Sequence, residues 1–196
     1  MSLAPEEAAV LVAAAASGDR NAWDRLVDAY SGLIWAIARN HRLAAGDAAD
    51  VCQTAWLRLL ENIGRLTDPA RVGAWLATTT RRECLRLQAR QRRTVLVADE
   101  VDPGADRLRA AVPELDAALL DAERDAQVRS AFATLHPRCQ ELLSLLLLDP
   151  PPSYDEISAA LNMPIGSIGP TRGRCLDKLR SVIETSGIEA ASARSL

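Results

Sequence analysis

Apolar residues recur at helical spacing through most of this chain, and runs of β-branched residues are nearly absent. From Asn21 to about residue 39, Trp23, Leu26, Val27, Tyr30, Leu33, Ile34 and Ile37 fall on one face, which predicts a helix with Asn21 as its N-cap. "HRLAAGD" predicts a turn, and Asp47 is placed to cap a second helix running to about Ile63. Val51, Cys52, Ala55, Trp56, Leu59 and Ile63 form its inner face. "GRLTDPARVG", with Gly64, Pro69 and Gly73, predicts a loop, and a further helix is expected from about Trp75 to Arg93. The N-terminal "AAVLVAAAAS" follows two acids, Glu6 and Glu7, and reads as a helix, not a targeting segment.

The pattern then breaks. "VADEVDPGADRLRAAVPELDAALLDAERD" carries Pro103, Gly104, Pro113 and an excess of acids, which predicts a linker, helical at most from about Glu114. A second helical block follows: a helix ending at "TLHP", a Leu-rich helix from Pro137 to Leu148, and a "DPPP" break. Ser153 and Glu156 form a capping box that starts a helix at Tyr154, with Ile157, Ala160 and Leu161 as its inner stripe. Asn162 suits a left-handed C-terminal position. Ser167 can then cap a last helix, with Gly169 and Pro170 in its first turn, where the missing proline N–H costs nothing. On that helix Ile168, Cys175, Leu176, Leu179, Val182 and Ile183 face inward, and Ser167, Pro170, Thr171, Arg174 and Lys178 face outward. Arg172 falls near the inner face, where its stem can pack while its head reaches solvent. The pattern is all-α: two small helical domains joined by an acidic flexible linker, with a frayed tail.

A net charge of −3 over 196 residues argues against nucleic acid until its distribution is read. Arg82, Arg86, Arg90 and Arg93 form one stripe, with Trp75 at its head and Thr78 and Thr79 beside it, and only Glu83 opposes them. A phosphate backbone is the natural partner of such a stripe, and an aromatic at its end can stack on an unpaired base. The last helix presents hydroxyls followed by cations, which suits the major groove; the plainer alternative is a solvated helix face. On the helix before the stripe, Asp50, Gln53, Leu57 and Leu60 share the outer face. Leucines among polar groups fit either a protein partner or a helix buried on two sides. The four cysteines lie far apart with no C-x-x-C, and the histidines are only His41 and His136, so neither a metal site nor a disulfide framework is expected, and a reduced chain fits. No run is long enough to span a membrane, and no arrangement of catalytic residues stands out.

Three segments carry a family resemblance. "DAADVCQTAWLRLL" is similar to a D-A-x-D-x-x-Q-x-x-[FW]-x-[RK] segment, "AWLATTTRRECLRLQARQRR" to a W-L-x-x-I-A-R-N helix, and "LHPRCQELLSLLLLDPPPSYDEISAALNMPIGSIGPTRGRCLDKLR" to an L-P-x-R-x-R-x-[VL] helix followed by a helix-turn-helix. In this order they resemble an extracytoplasmic-function sigma factor of the bacterial sigma-70 family, over about residues 10 to 185. The resemblance implies a sigma-2-like domain at 1–94, an acidic linker at 95–120, a sigma-4-like domain at 121–185 and a tail at 186–196. It implies a cytoplasmic protein with core RNA polymerase (β and β′ subunits) and promoter DNA as partners, room for an anti-sigma factor, no membrane, no cofactor and no catalysis of its own.

Carried onto this sequence, Asp47, Asp50, Gln53, Leu57 and Leu60 would dock on polymerase. Trp75, Thr78, Thr79, Arg82, Arg86 and Arg90 would meet the minus-ten element, with a base pocket offered by the loop from Leu66 to Val72. Ser167, Thr171, Arg172, Arg174 and Lys178 would meet the minus-thirty-five element. The family often has Asn at Arg82, Asp at Arg86 and an apolar residue at Arg172, so this chain is the more basic. A stand-alone helix-turn-helix regulator using residues 137 to 183 is the alternative; it leaves the arginine stripe and the outward leucines without a role.

Overall fold

The computed structural model describes residues 3–95 and 128–185, all helix, turn or connecting coil, with no strand among them. The acidic segment, including Asp99, Glu100, Asp102 and Asp106, and the tail after residue 185 lie outside the described residues. The first block comprises α1 (Pro5–Ala16), α2 (Arg20–Asn40), α3 (Ala45–Asn62), two short 3-10 turns (Ile63–Arg65 and Pro69–Arg71) and α4 (Val72–Val95). The second comprises a helical stretch, α5 (128–133), then α6 (Pro137–Leu146), α7 (Tyr154–Leu161) and α8 (Ile165–Thr185).

Several boundaries differ from expectation for local reasons. Asp19, not Asn21, caps α2: its carboxylate accepts from the Asn21 and Ala22 backbone N–H groups at 2.9 and 3.2 Å. A carboxylate two or three residues ahead of those donors reaches them with less rearrangement than the Asn21 side chain could. The α3 helix opens at Ala45, so Asp47 lies inside its first turn, where its charge meets the positive end of the helix dipole. The α4 helix begins three residues before Trp75 because the Pro69–Arg71 turn leads straight into it. The Leu-rich helix stops at Leu146, two residues before the expected end.

The start of α7 matches the pattern. Ser153 and Glu156 bond reciprocally at 2.6 and 3.3 Å, and Asn162 closes the helix in the left-handed region at φ 50°. The start of α8 does not. It opens at Ile165, and Ser167 turns its hydroxyl back onto the Pro164 carbonyl at 2.7 Å instead of capping forward. Pro170 is therefore inside the helix, where it deprives the Gly166 carbonyl of its usual donor. Leu176, expected inward, is exposed.

Cys139 and Cys175 form a disulfide with Cα atoms 5.4 Å apart, contrary to the expectation of a fully reduced chain. The packing of α6 on α8 brings together residues that are 36 positions apart, which spacing alone does not reveal. Cys52 and Cys84 are free; burial pushes their thiols up to about 11 and about 12.

The two blocks share one core. Leu26, Tyr30, Ile34, Leu59, Val72 and Leu76 of the first block join Leu142, Leu145, Ile157 and Ile168 of the second in one buried cluster. The most extensive pairing of α4 is with α7, and α6 lies against α2. Asn40 donates to the Glu141 carbonyl at 3.3 Å and accepts from the Ser144 hydroxyl at 3.0 Å, tying the latter contact.

Candidate polymerase and nucleic-acid interface

The outer face of α3 is exposed as its pattern requires. Its inner face packs through Val51, Ala55 and Leu59, and Trp56 meets Trp23 edge-on with ring centroids 5.9 Å apart. Burial of that stripe fixes the rotation of the helix. Asp50, Gln53, Leu57 and Leu60 are thereby left in solvent, Leu57 at 52 % and Leu60 at 59 % exposure. Burial of this helix on two sides within the chain, the alternative left open by the pattern, is thus not what these four residues do. Asp47 stands apart: it is half-buried and accepts from the Gln91 amide at 2.8 Å, which ties α3 to α4.

The α4 helix is held by buried Val72, Leu76, Ala77, Thr80 and Cys84. The Thr80 hydroxyl satisfies itself on the Leu76 carbonyl at 2.8 Å. Arg82, Arg86 and Arg90 consequently point to solvent, whereas the side chain of Arg93 lies outside the described part. Glu83 intrudes on the stripe more than expected. Its carboxylate, mostly buried, pairs with Arg86 at 2.5 Å and lies 4.0 Å from Arg58 of α3. The i,i+3 spacing and the approach of α3 together make that bridge.

Two hollows flank the stripe. A groove of ≈ 540 Å³ between α3 and α4 is lined by Asp50, Arg58, Glu83, Arg86 and Arg90, so one predicted docking residue, Asp50, faces two of the predicted minus-ten arginines across it. A second cleft, of ≈ 520 Å³, lies under the 62–71 turns. Trp75, Thr78, Thr79 and Arg82 form its floor, and Trp75 is half-buried, one part of its ring packed and another facing the cleft. Arg65 and Arg71 at its rim were not singled out from the sequence. The signal was two cations in a loop of Gly and Pro, where no periodicity assigns a face.

On α8, Arg172, Arg174 and Lys178 are exposed and Ser167 and Thr171 half-buried. Arg172 therefore stands in solvent and not toward the core. Arg174 donates to the Thr171 hydroxyl at 3.3 Å, which holds its guanidinium along the helix. Gly166, Gly169 and Gly173 run beside these residues with open space where a side chain would be. Each costs the helix about 1 kcal/mol relative to alanine, but together they bare a strip of backbone to whatever approaches. Among the described residues no group of His, Cys, Asp or Glu could hold a metal ion, and no helix is long and apolar enough to cross a membrane.

Residues 26–94, which contain α3, both hollows and the arginine stripe, match the model of sigma-70 region 2. The fold of the chain resembles the structure of CnrH in complex with the cytosolic domain of CnrY, at 22 % identity and a TM-score of 0.55, over 91 % of this chain and 98 % of that one. That likeness extends through the second helical block, beyond the matched region. No curated protein sequence matches the chain.

Proposed function

We propose that this chain is a sigma factor of the sigma-70 family, of the extracytoplasmic-function type, that binds core RNA polymerase, directs it to promoters and opens the minus-ten DNA. One observation carries the reading: within the region 2 match, α3 presents Asp50, Gln53, Leu57 and Leu60 to solvent, and Asp50 lines a groove opposite the exposed Arg86 and Arg90 of α4. Leu57 and Leu60, flanked by Asp50 and Gln53, are suited to a helical protein surface that supplies apolar area and a cation. Residues 1–94 would serve as the sigma-2-like unit, and 121–185 as the sigma-4-like unit that reads the minus-thirty-five element, across the linker at 95–120.

In the minus-ten contact, Arg82 and Arg90 would hold phosphates, and Arg86 would do so after loosening its pair with Glu83. The cleft floored by Trp75 offers an apolar ring for an unstacked base, with Thr78 and Thr79 as hydroxyl partners and Arg82 beside it. In the upstream contact, Arg174 would reach a base edge and Lys178 a phosphate, while Ser167, Thr171 and the bared glycine backbone let α8 sit close in the groove. The polymerase supplies the chemistry; the role of this chain is placement and melting. Such a factor works in the cytoplasm. CnrH is solved with the cytosolic domain of CnrY, and an anti-sigma protein is a corresponding partner to seek here.

Run-off transcription with core polymerase over a promoter library tests the reading. Promoter-dependent transcripts that require this chain are expected. A chain that binds duplex DNA alone and adds nothing to the polymerase would overturn it.

A further inference from the structure

The helix assigned above to upstream DNA is held at few points. Of the 21 residues of α8, Ile168 and Cys175 alone are buried. Ile168 enters the shared core. Farther along, Cys175 sits in a separate small cluster with Leu135 and Leu143, flanked by half-buried Phe132, Leu146 and Leu179. That second anchor is where the bond to Cys139 of α6 is made. Around the two anchors the helix has little stability of its own, since Gly166, Gly169, Gly173 and the internal Pro170 all disfavour it. Arg174 directly precedes Cys175 and Lys178 follows within one turn, so the cysteine anchor sets where both cations stand. The two sulfurs differ in access. Cys139 is half-buried and Cys175 is 1 % exposed, so an attacking thiolate reaches Cys139 first.

We propose that Cys139 and Cys175 form a thiol–disulfide switch that sets how firmly α8 is held for upstream reading. This rests on the function proposed above, which places the chain in the cytoplasm. There thiols are kept reduced, and a disulfide that does form serves catalysis or redox sensing more often than stability. Hydrogen peroxide closes the pair. It oxidises the Cys139 thiol to a sulfenic acid with release of one water, and the Cys175 thiol displaces the sulfenic oxygen as a second water, leaving the S–S bond. Glutathione reverses it. One glutathione thiolate attacks the Cys139 sulfur and releases Cys175 as a thiol; a second frees Cys139 and leaves as glutathione disulfide. Closed, the bond pins the middle of α8 to α6 and fixes Arg174 and Lys178 against the second block. Open, α8 keeps Ile168 in the core, but its remaining length rests on the small cluster alone, and DNA must order the two cations as it binds. The loop that the bond closes, 139–175, contains α7 and no part of α3 or α4, so redox state addresses the upstream contact and not the faces of the first block.

The test uses the full chain, treated with hydrogen peroxide and then carried through graded mixtures of reduced and oxidised glutathione. Denaturing alkylation followed by intact mass counts free thiols: two, from Cys52 and Cys84, when the bond is closed, and four when it is open. The bond is expected to open within the series. Hydrogen exchange then reads α8 in each form. On opening, exchange over 169–185 should quicken about 30-fold, the lower end of what a loop-closing disulfide contributes, while exchange in α3 stays as it was. With a promoter found by run-off transcription, preference for its upstream duplex over a scrambled one should fall on opening and return on peroxide treatment. Cys139→Ala, a change at a half-buried position, should match the open form in every mixture, and Cys52→Ala should keep the response. A pair that never closes, or that stays closed in the most reducing mixture, is not a switch. A pair that opens and closes with no change in α8 exchange or upstream preference does not govern reading. Each of these results overturns the proposal. A chain that supports no transcription in either form, yet shows redox-dependent exchange in α8, would instead count against the proposed function and leave the switch standing.

Discussion

The leucines of α3 offer the most direct test of polymerase docking. Complete burial of a leucine side chain is worth about 1.5–3 kcal/mol. Leu57 is 52 % exposed and Leu60 59 %, so roughly half of that remains to be gained when a partner covers them. That is about 1 kcal/mol each, or about 2 kcal/mol for the pair, some of which alanine keeps through its Cβ. At 1.4 kcal/mol per tenfold, Leu57→Ala/Leu60→Ala should weaken binding to core polymerase about 10- to 30-fold. The fold should not suffer: neither side chain belongs to the buried cluster, and alanine is the better helix former. Titration of labelled core polymerase with wild-type and variant chains, beside thermal melts of each, separates the two effects. An affinity within twofold of wild type, with an unchanged melt, would refute the assignment of this face to polymerase.

Other surfaces give further outcomes. Arg82→Ala, Arg86→Ala and Arg90→Ala should each lower open-complex formation in permanganate footprints and flatten its dependence on salt; Arg86→Ala should do so less than Arg82→Ala, because Glu83 already engages Arg86. Arg174→Ala should lose about 1–3 kcal/mol of discrimination between upstream sequences if it bonds a guanine edge, whereas Lys178→Ala should weaken specific and scrambled duplexes alike in competition assays. His41 should make the fold acid-sensitive. Burial lowers its pKa, Arg81 adds to that, and Glu141 and the Gln88 hydrogen bond oppose it without prevailing. The neutral ring is favoured in the folded state, so its contribution is present above the ordinary value of 6.5 and is lost as pH falls through the lowered one. Denaturant midpoints measured between neutral and mildly acidic pH should fall for wild type, and His41→Gln should remove that part of the slope.

Much of the fold was legible because single helices declare themselves by period. The inner stripes of α2 and α3, the Ser153–Glu156 capping box and the Asn162 turn were all visible in local spacing. What escaped were choices between neighbouring local solutions and contacts made at long range. Asp19 and Asn21 are both good N-caps, and only the path of the chain out of α1 decides between them. Pro164 and Ser167 both offer a start for α8, and the earlier one wins because the Ser167 hydroxyl has an acceptor behind it. The Cys139–Cys175 bond and the seating of α7 on α4 depend on helix packing, which no window of sequence contains. The same holds at the site. Exposure of Leu57, Leu60, Arg82 and Arg174 follows from the stripes opposite them, whereas the Arg58–Glu83–Arg86 bridge needs two helices to be brought together.

Seating of α7 also bears on the order in which partners are met. A ligand that requires an open cleft binds the free chain with its affinity reduced by the open fraction, while a ligand that uses the exposed α3 face suffers no such reduction. If the chain is one part in a hundred open, single-stranded DNA binds a hundredfold more weakly than the cleft allows, and polymerase binds at full strength. If polymerase is the partner proposed, it can open the chain only in proportion to its preference for the unseated form. The shared core sets the demand: Ile157 and Ile168 lie in one cluster with Val72 and Leu76, so unseating exposes apolar surface that polymerase or DNA must cover again. Net charge points the same way. At −3 the whole chain repels nucleic acid, and local fields such as that of the α4 arginines must offset this. Asp155 at the rim of the cleft pairs with Arg71 and so weakens the positive field there.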